Sequence, residues 1–434
     1  MREMKDSNVN WLNTIPCDWA LSRIKYVLNE RIEKNDPIKT KYILSLTAKQ
    51  GVVPLSEKEG GGNKPKEDFT AYKLAYPNDI VINSMNILSG SVGLSKYFGC
   101  VSPVYYMLRP FNDNFDVRYF NYIFQTKVFQ LSLFGLGNGI LIKESGNGKF
   151  NTIRMRIPME KFGNLLIPVP NEKEQIKISN YLDTKCSEID ATAEDIQKEI
   201  SLLEDYKKSL IYNAISNGIN HSAYSNETDE VWGNVPQGWK LVDIKYLFEI
   251  VKRIAGKEGY DVLSVTQKGL KVKDITSGDG QLADNYSGYQ FVYPTDYVMN
   301  HMDLLTGWVD CSELFGVTSP DYRVFRLMDK AANNLVYYKY VMQCCYMNKI
   351  FYSLGQGVSN LGRWRLQTSS FNNFKVPVPP KAEQDEIADY LDSKCSEIDT
   401  LIVDKKRQLD ILAEYKKSLI YEYVTGKKEV PVNE

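Results

Sequence analysis

The chain has 434 residues, 43% of them hydrophobic and 25% charged, with a formal net charge of −1. That composition fits a folded chain of about three units of ~150 residues and excludes disordered, collagenous and disulfide-scaffold classes. No apolar run approaches the ~18 residues of a membrane span, Met1–Lys5 is polar, and seven cysteines occur without a CxxC pair, so a reducing cytoplasmic location with no membrane partner is expected.

In chain order, the sequence is written twice. Ile15-Pro16-Cys17-Asp18-Trp19 is answered by Val235-Pro236-Gln237-Gly238-Trp239, an offset of 235 − 15 = 220. Each opening leads into a short amphipathic segment, Leu21–Leu28 and Leu241–Phe248, expected as a helix. Short apolar runs between Gly, Pro, Asn and Asp follow: Tyr42–Leu46, Ile80–Asn83 and Val104–Leu108 in the first copy. Val262–Val265, Tyr297–Asn300 and Arg323–Leu327 stand in the second. They read as strands of a mostly antiparallel sheet. Tyr76-Pro77-Asn78-Asp79 matches Tyr293-Pro294-Thr295-Asp296 at an offset of 293 − 76 = 217. Asp116–Leu133 and Asn334–Leu354 are helical and rich in Tyr and Phe; Tyr119, Ile123, Phe129 and Leu133 are expected in the core. The first copy then carries most of an 11-residue excess (220 − 209) near 140–150, a Gly- and Lys-bearing loop.

Each copy closes on a Pro-Val-Pro boundary, Pro168–Pro170 and Pro377–Pro379, and a long helix. Residues 181–212 and 390–421 are identical at 18 of 32 positions without a gap, an offset of 390 − 181 = 209. Leu182, Cys186, Ile189, Ala193, Ile196, Ile200, Leu203 and Leu210 form a heptad-like seam interrupted by Lys207. Leu391, Cys395, Ile398, Ile402, Leu409, Leu412 and Leu419 form its counterpart, broken by Lys405 and Lys416. Some 40 residues at ~1.5 Å make helices of roughly 60 Å, with Gly218 and Gly426 as stops. Matching seams predict that the helices pair with each other; parallel and antiparallel pairing both fit at this point. Residues 1–171 carry 22 Lys+Arg and 15 Asp+Glu, net +7; residues 213–380 carry 16 of each. The helices are acidic, at −4 over 172–212 and −3 over 381–417. They are spacers that would not track phosphate.

Motifs for catalysis are missing. Gly146–Phe150 has a Gly-Lys pair without the glycine spacing of a phosphate-binding loop, and no dinucleotide fingerprint follows a strand. No Asn/Asp-Pro-Pro-Tyr/Phe tetrapeptide of an amino-methyltransferase exists, and Asp321-Tyr322-Arg323 reads as the start of a strand. Two histidines, His221 and His301, leave little for His-based chemistry, and adjacent Cys344 and Cys345 point to different faces of a helix, against a shared metal. No catalytic, cofactor or metal site is expected.

The doubled series IPCDWALSRIKYVL/VPQGWKLVDIKYLF, YPNDIVIN/YPTDYVMN, SPVYYMLRP/SPDYRVFRL and PVPNEKEQIKISNYLD/PVPPKAEQDEIADYLD resembles the specificity subunit of type I restriction–modification systems over nearly the whole chain. The resemblance implies an α+β fold: two target-recognition domains, 1–170 and 217–380, joined by spacer helices, 171–216 and 381–426. The helices would pair as an antiparallel coiled coil with pseudo-twofold symmetry. It implies a non-catalytic subunit whose domains each read half of a split site in double-stranded DNA. The helices would set the gap and dock methyltransferase subunits, two of them. Motor–nuclease subunits would join that core. S-adenosylmethionine, ATP and magnesium would belong to those partners. A coiled-coil scaffold whose β units bind proteins is the competing reading.

The duplication sorts the candidate DNA contacts. Half-sites differ, so loop positions that match, Asn83/Asn300 and Gly90/Gly307, read as framework. Positions that differ read as base contacts: Ser84 against His301, Asn86 against Asp303, Ser91 against Trp308. Arg154 and Arg156, with Arg363 and Arg365, suit phosphate clamping. Lys143 and Lys149 of the extra loop, Lys96 and Gln356 complete the set.

Overall fold

The computed structural model describes residues 2–48, 50–58, 65, 67–137, 156–220, 223–275, 283, 285–357 and 364–431. Two compact units emerge. The first comprises Met1–Ile196 with Gln408–Glu434, the second Gln197–Arg407. Each therefore owns one stretch of both long helices, which run Glu172–Asn217 and Lys381–Val424.

The first unit is built on a four-stranded sheet in the order Leu28–Arg31, Tyr105–Pro110, Ile80–Asn83, Val92–Leu94; every pair is antiparallel. The second repeats it with Phe248–Val251, Arg323–Leu327, Tyr297–Met299 and Val309–Cys311. The expected helices over Leu21–Leu28 and Leu241–Phe248 do not form. Ala20–Arg23 pairs with Leu166–Val169 and Lys240–Asp243 with Lys375–Val378, followed only by single 3-10 turns at Ile24–Tyr26 and Ile244–Tyr246. The Pro-Val-Pro segments are thus partly strand. They are two-stranded ribbons, where a proline facing away from its partner removes no ladder bond.

The aromatic helices appear but are broken. Val117–Gln125 and Lys127–Ser132 meet at Thr126, and Leu335–Met347 and Ile350–Ser353 meet at Lys349, which has a left-handed φ of 57°. Their starts are capped alike, Asp116 accepting from the Arg118 N–H and Asn334 from those of Val336 and Tyr337. Tyr119, Ile123, Phe129 and Leu133 are all fully buried, as expected.

The repeat preserves the bonds that fix each long helix to its unit. Gln175 accepts from the Asp116 N–H and donates to the Pro170 carbonyl; Gln384 does the same with Asn334 and Pro379, at 2.8–3.0 Å throughout. Trp19 and Trp239 donate to Glu174 and Glu383, and Tyr122 and Tyr340 donate to Asp183 and Asp392. Burial pushes both tyrosines far up, so they stay protonated donors.

The helices pair antiparallel within each unit. In the first, Tyr181 packs on Tyr423 and Asp190 bonds Lys416; in the second, Glu199 bonds Lys405 and Lys207 bonds Asp399. The lysines that interrupt the seam are these cross-helix partners. Lys416–Asp190 and Lys207–Asp399 are one pair written twice, since 416 − 207 and 399 − 190 both equal 209. Gly218 and Gly426 stop the helices with φ of 70° and 69°. No helix among the described residues is long and apolar enough to cross a membrane.

Candidate nucleic-acid interface

In each unit the hairpin from the middle of the sheet carries the loop of interest, 84–91 in the first and 300–308 in the second. The matching positions build its frame. Asn83 Oδ1 accepts from the Met85 N–H at 3.1 Å and Asn300 Oδ1 from that of Met302 at 3.3 Å. The Asn83 N–H donates to the Ser91 carbonyl and the Asn300 N–H to that of Trp308. Gly90 has φ of 82°, and a Cβ at Gly307 would lie 2.0 Å from the Asp303 carbonyl oxygen, so both need glycine.

The differing positions separate. Ser84 is 1% exposed, and its hydroxyl donates to the Val104 carbonyl at 2.7 Å. Ser91 is buried too. Asn86 is exposed, and its side chain has no partner among the described residues. In the second unit Asp303 caps its own turn, accepting from the N–H groups of Leu305 and Thr306. Burial pushes its carboxyl up, but the Thr306 hydroxyl and the turn's N–H groups outweigh that and hold it below the usual range. Trp308 is half-buried against the core, its ring 6.2 Å from Tyr346. Lys96 is exposed at the far end of the first hairpin, beyond the Ile80–Leu94 pairing, and is not grouped with the loop.

Beside each loop lies a second arm. The Ile157 N–H donates to the Ser84 carbonyl and the Leu366 N–H to the His301 carbonyl, at 3.1 and 3.0 Å. The exposed Arg156 and Arg365 immediately precede these anchors. Gln356, also exposed, pairs with Arg365 in an antiparallel bridge with N···O distances of 3.0 and 3.1 Å. The structure thus brings His301, Gln356 and Arg365 together. Lys143, Lys149, Arg154 and Arg363 lie outside the described residues, as does His221.

Two residues that sequence reasoning passed over complete the arms. Tyr106 donates its hydroxyl to the Ile157 carbonyl at 2.9 Å. At the matching position Arg323 donates to the Leu366 carbonyl at 3.0 Å and to Thr368 Oγ1 at 3.3 Å, with its guanidinium over the Phe371 ring. The aligned segments SPVYYMLRP and SPDYRVFRL carried this signal, because Tyr stands against Arg in a shared frame.

His301 is 7% exposed, and its Nδ1 is buried without a partner among the described residues. Burial, then the charges of Arg323 and Arg365, lower its pKa to about 3. An unfolded imidazole titrates near ~6.5. The unfolded chain therefore holds the extra proton between those values, and the stability carried by neutral His301 is full above ~6.5 and lost as pH falls toward ~3. From pH 7 to pH 5 the second unit should lose about 2 kcal/mol through this group. His301→Ser, the residue of the other copy, should flatten that part of the pH dependence in urea unfolding. An equal pH dependence in both proteins would refute it.

Residues 236–409 match the family model of the type I restriction modification DNA specificity domain. Over 380 residues, 81% of either chain, the sequence is 24% identical to the type I restriction enzyme MjaVIII specificity subunit of Methanocaldococcus jannaschii. A chain solved for complex assembly and conformational transition of the type I R-M system superposes with a TM-score of 0.60 at 13% identity, covering 95% of this chain and 99% of that one. The HsdS subunit from Thermoanaerobacter tengcongensis gives 0.49 at 12%, over 95% and 98%. The first of these likenesses shows the fold.

Proposed function

We propose that this chain, a type I restriction–modification specificity subunit whose second half is the DNA specificity domain, reads a split DNA site with one half assigned to each unit. One observation carries this. Both units hold the same loop on the same asparagine and glycine frame, yet place different chemistry on it: Ser84 with Tyr106 in one, His301 with Arg323 in the other. A frame kept constant while the side chains set on and behind it change suits the reading of two unequal half-sites. A protein-binding scaffold would leave that pattern without a cause.

The chain is the non-catalytic member of the assembly. Adenine methylation would come from methyltransferase subunits that carry S-adenosylmethionine, and motor–nuclease subunits would bring ATP and magnesium. The repeat supports two docking places. Leu202 and Tyr206 are 69% and 57% exposed one turn apart, and their counterparts Ile411 and Tyr415 are 57% and 54% exposed. Apolar pairs left open on acidic helices suit a protein partner rather than DNA.

The test is to express the chain with its methyltransferase partner and map modified adenines across a genome by single-molecule sequencing. A bipartite motif with unequal halves and a fixed gap is expected. A stably formed complex that leaves no motif would sink the reading.

A further inference from the structure

The second unit holds a buried positive charge that the first does without. Arg323 is 4% exposed, and among the described residues no carboxylate pairs with it. The other arginines tucked into the two sheets have an acid: Arg31 bonds Asp79 at 2.9 Å, and Arg253 bonds Asp296, with both aspartates buried. A guanidinium taken out of water without a counter-charge is costly and is compensated only in part by neutral acceptors. Arg323 has the Leu366 carbonyl, Thr368 Oγ1, the Phe371 face at 4.5 Å and Met299 sulfur at 3.9 Å. The frame does not demand this arginine, since Tyr106 makes the same tie in the first unit with a neutral hydroxyl.

Its neighbours share the property. His301 keeps Nδ1 unpartnered where the first unit has a satisfied serine. His301 and Arg323 grip opposite ends of one residue, the histidine carbonyl taking the Leu366 N–H and the guanidinium taking its carbonyl. That residue follows the exposed Arg365. Burial draws the Arg323 guanidinium down to about 10; Tyr346 opposes this and Arg365 adds to it, so the two arginines lie within electrostatic reach. Such a cluster has one buried nitrogen without a partner among the described residues, His301 Nδ1, the excess positive charge of two arginines, and an exposed side chain at Arg365.

We propose that Arg323, His301 and Arg365 form an anion seat in the second unit that takes one phosphate of the DNA backbone. This rests on the DNA-reading role above and deepens it. The formally neutral stretch 213–380 thereby gains a local positive site, and the bound phosphate fixes the arm that presents Gln356.

The test transplants the other unit's solution. Arg323→Tyr with His301→Ser, in the assembled complex with methyltransferase, is compared with the unaltered complex on a duplex carrying the split site. Affinity should fall about tenfold at moderate salt, and the slope of log K against log salt should shrink by about 0.9, one phosphate's share. The loss should be uniform over base substitutions in the second half-site. A neutral methylphosphonate at one backbone position there should weaken the unaltered complex and leave the variant no weaker. Arg365→Ala changes an exposed side chain only, and should shrink the slope in the same way even where the double variant folds poorly. Unaltered binding with an unchanged slope in Arg365→Ala and the double variant would overturn the seat alone. Failure of the unaltered complex to bind any duplex would overturn the DNA-reading role and the seat with it.

Discussion

Cutting the chain after Arg407 should unfold the first unit and leave the second folded, although the cut lies 407 − 196 = 211 residues beyond the end of the first unit's N-terminal segment. The first unit's core is completed by the last turns of the C-terminal helix. Leu419, Ile420, Tyr423 and Val424 are 3%, 7%, 5% and 0% exposed within it. Tyr119 donates to the Val424 carbonyl at 2.9 Å, Lys177 to that of Val430 at 3.0 Å, and Lys416 bonds Asp190. At about 1.5–3 kcal/mol for each buried large side chain, the four apolar groups alone approach the ~5–15 kcal/mol that holds a domain together. The second unit keeps its own share of the helix, including Asp399 and Lys405 opposite Lys207 and Glu199. Hydrogen exchange should show amides of the first sheet, such as Ile80–Asn83, unprotected in the truncated chain, while Tyr297–Met299 remain protected. Continued protection of the first sheet would mean that the helix end is dispensable to it.

How much of this was legible in the sequence follows from which interactions are local or repeated. The long helices, their seams and their glycine stops could be read because period and repeat point the same way, and the lysine breaks in the seam became intelligible once each met its acid. The segments at Leu21–Leu28 and Leu241–Phe248 were misread because their state is set at a distance. Leu21 is a strand residue through its pairing with Pro168, and the Ile24 N–H is taken by the Leu165 carbonyl. The breaks at Thr126 and Lys349 escaped for a related reason, since the apolar content of both segments continues across them. Comparing the copies position by position located the loop frame and His301. It missed Arg323 because the comparison was confined to loops, whereas the residue lies at the first position of a core strand and reaches the loop from behind.

The proposed spacing role predicts a second large effect, on which DNA is modified. The long helices pass from one unit's contacts to the other's at Ile196–Gln197 and Arg407–Gln408. A heptad inserted at both junctions keeps each seam on its face and leaves Asp190–Lys416 and Lys207–Asp399 in register, because each pair lies wholly on one side of the insertions. Each helix gains about 10.5 Å, roughly three base steps of ~3.4 Å. Three steps also rotate the duplex by about 100° at ~10–10.5 base pairs per turn. The methylated motif should keep both half-sites and lengthen its gap by up to three base pairs, or methylation should cease where the added rotation cannot be met. The same heptad in the central helix alone slides its partners past one another by two turns, and should unfold one unit's helix pair instead. A gap that stays the same length in the doubly extended protein would show that something other than these helices sets the spacing.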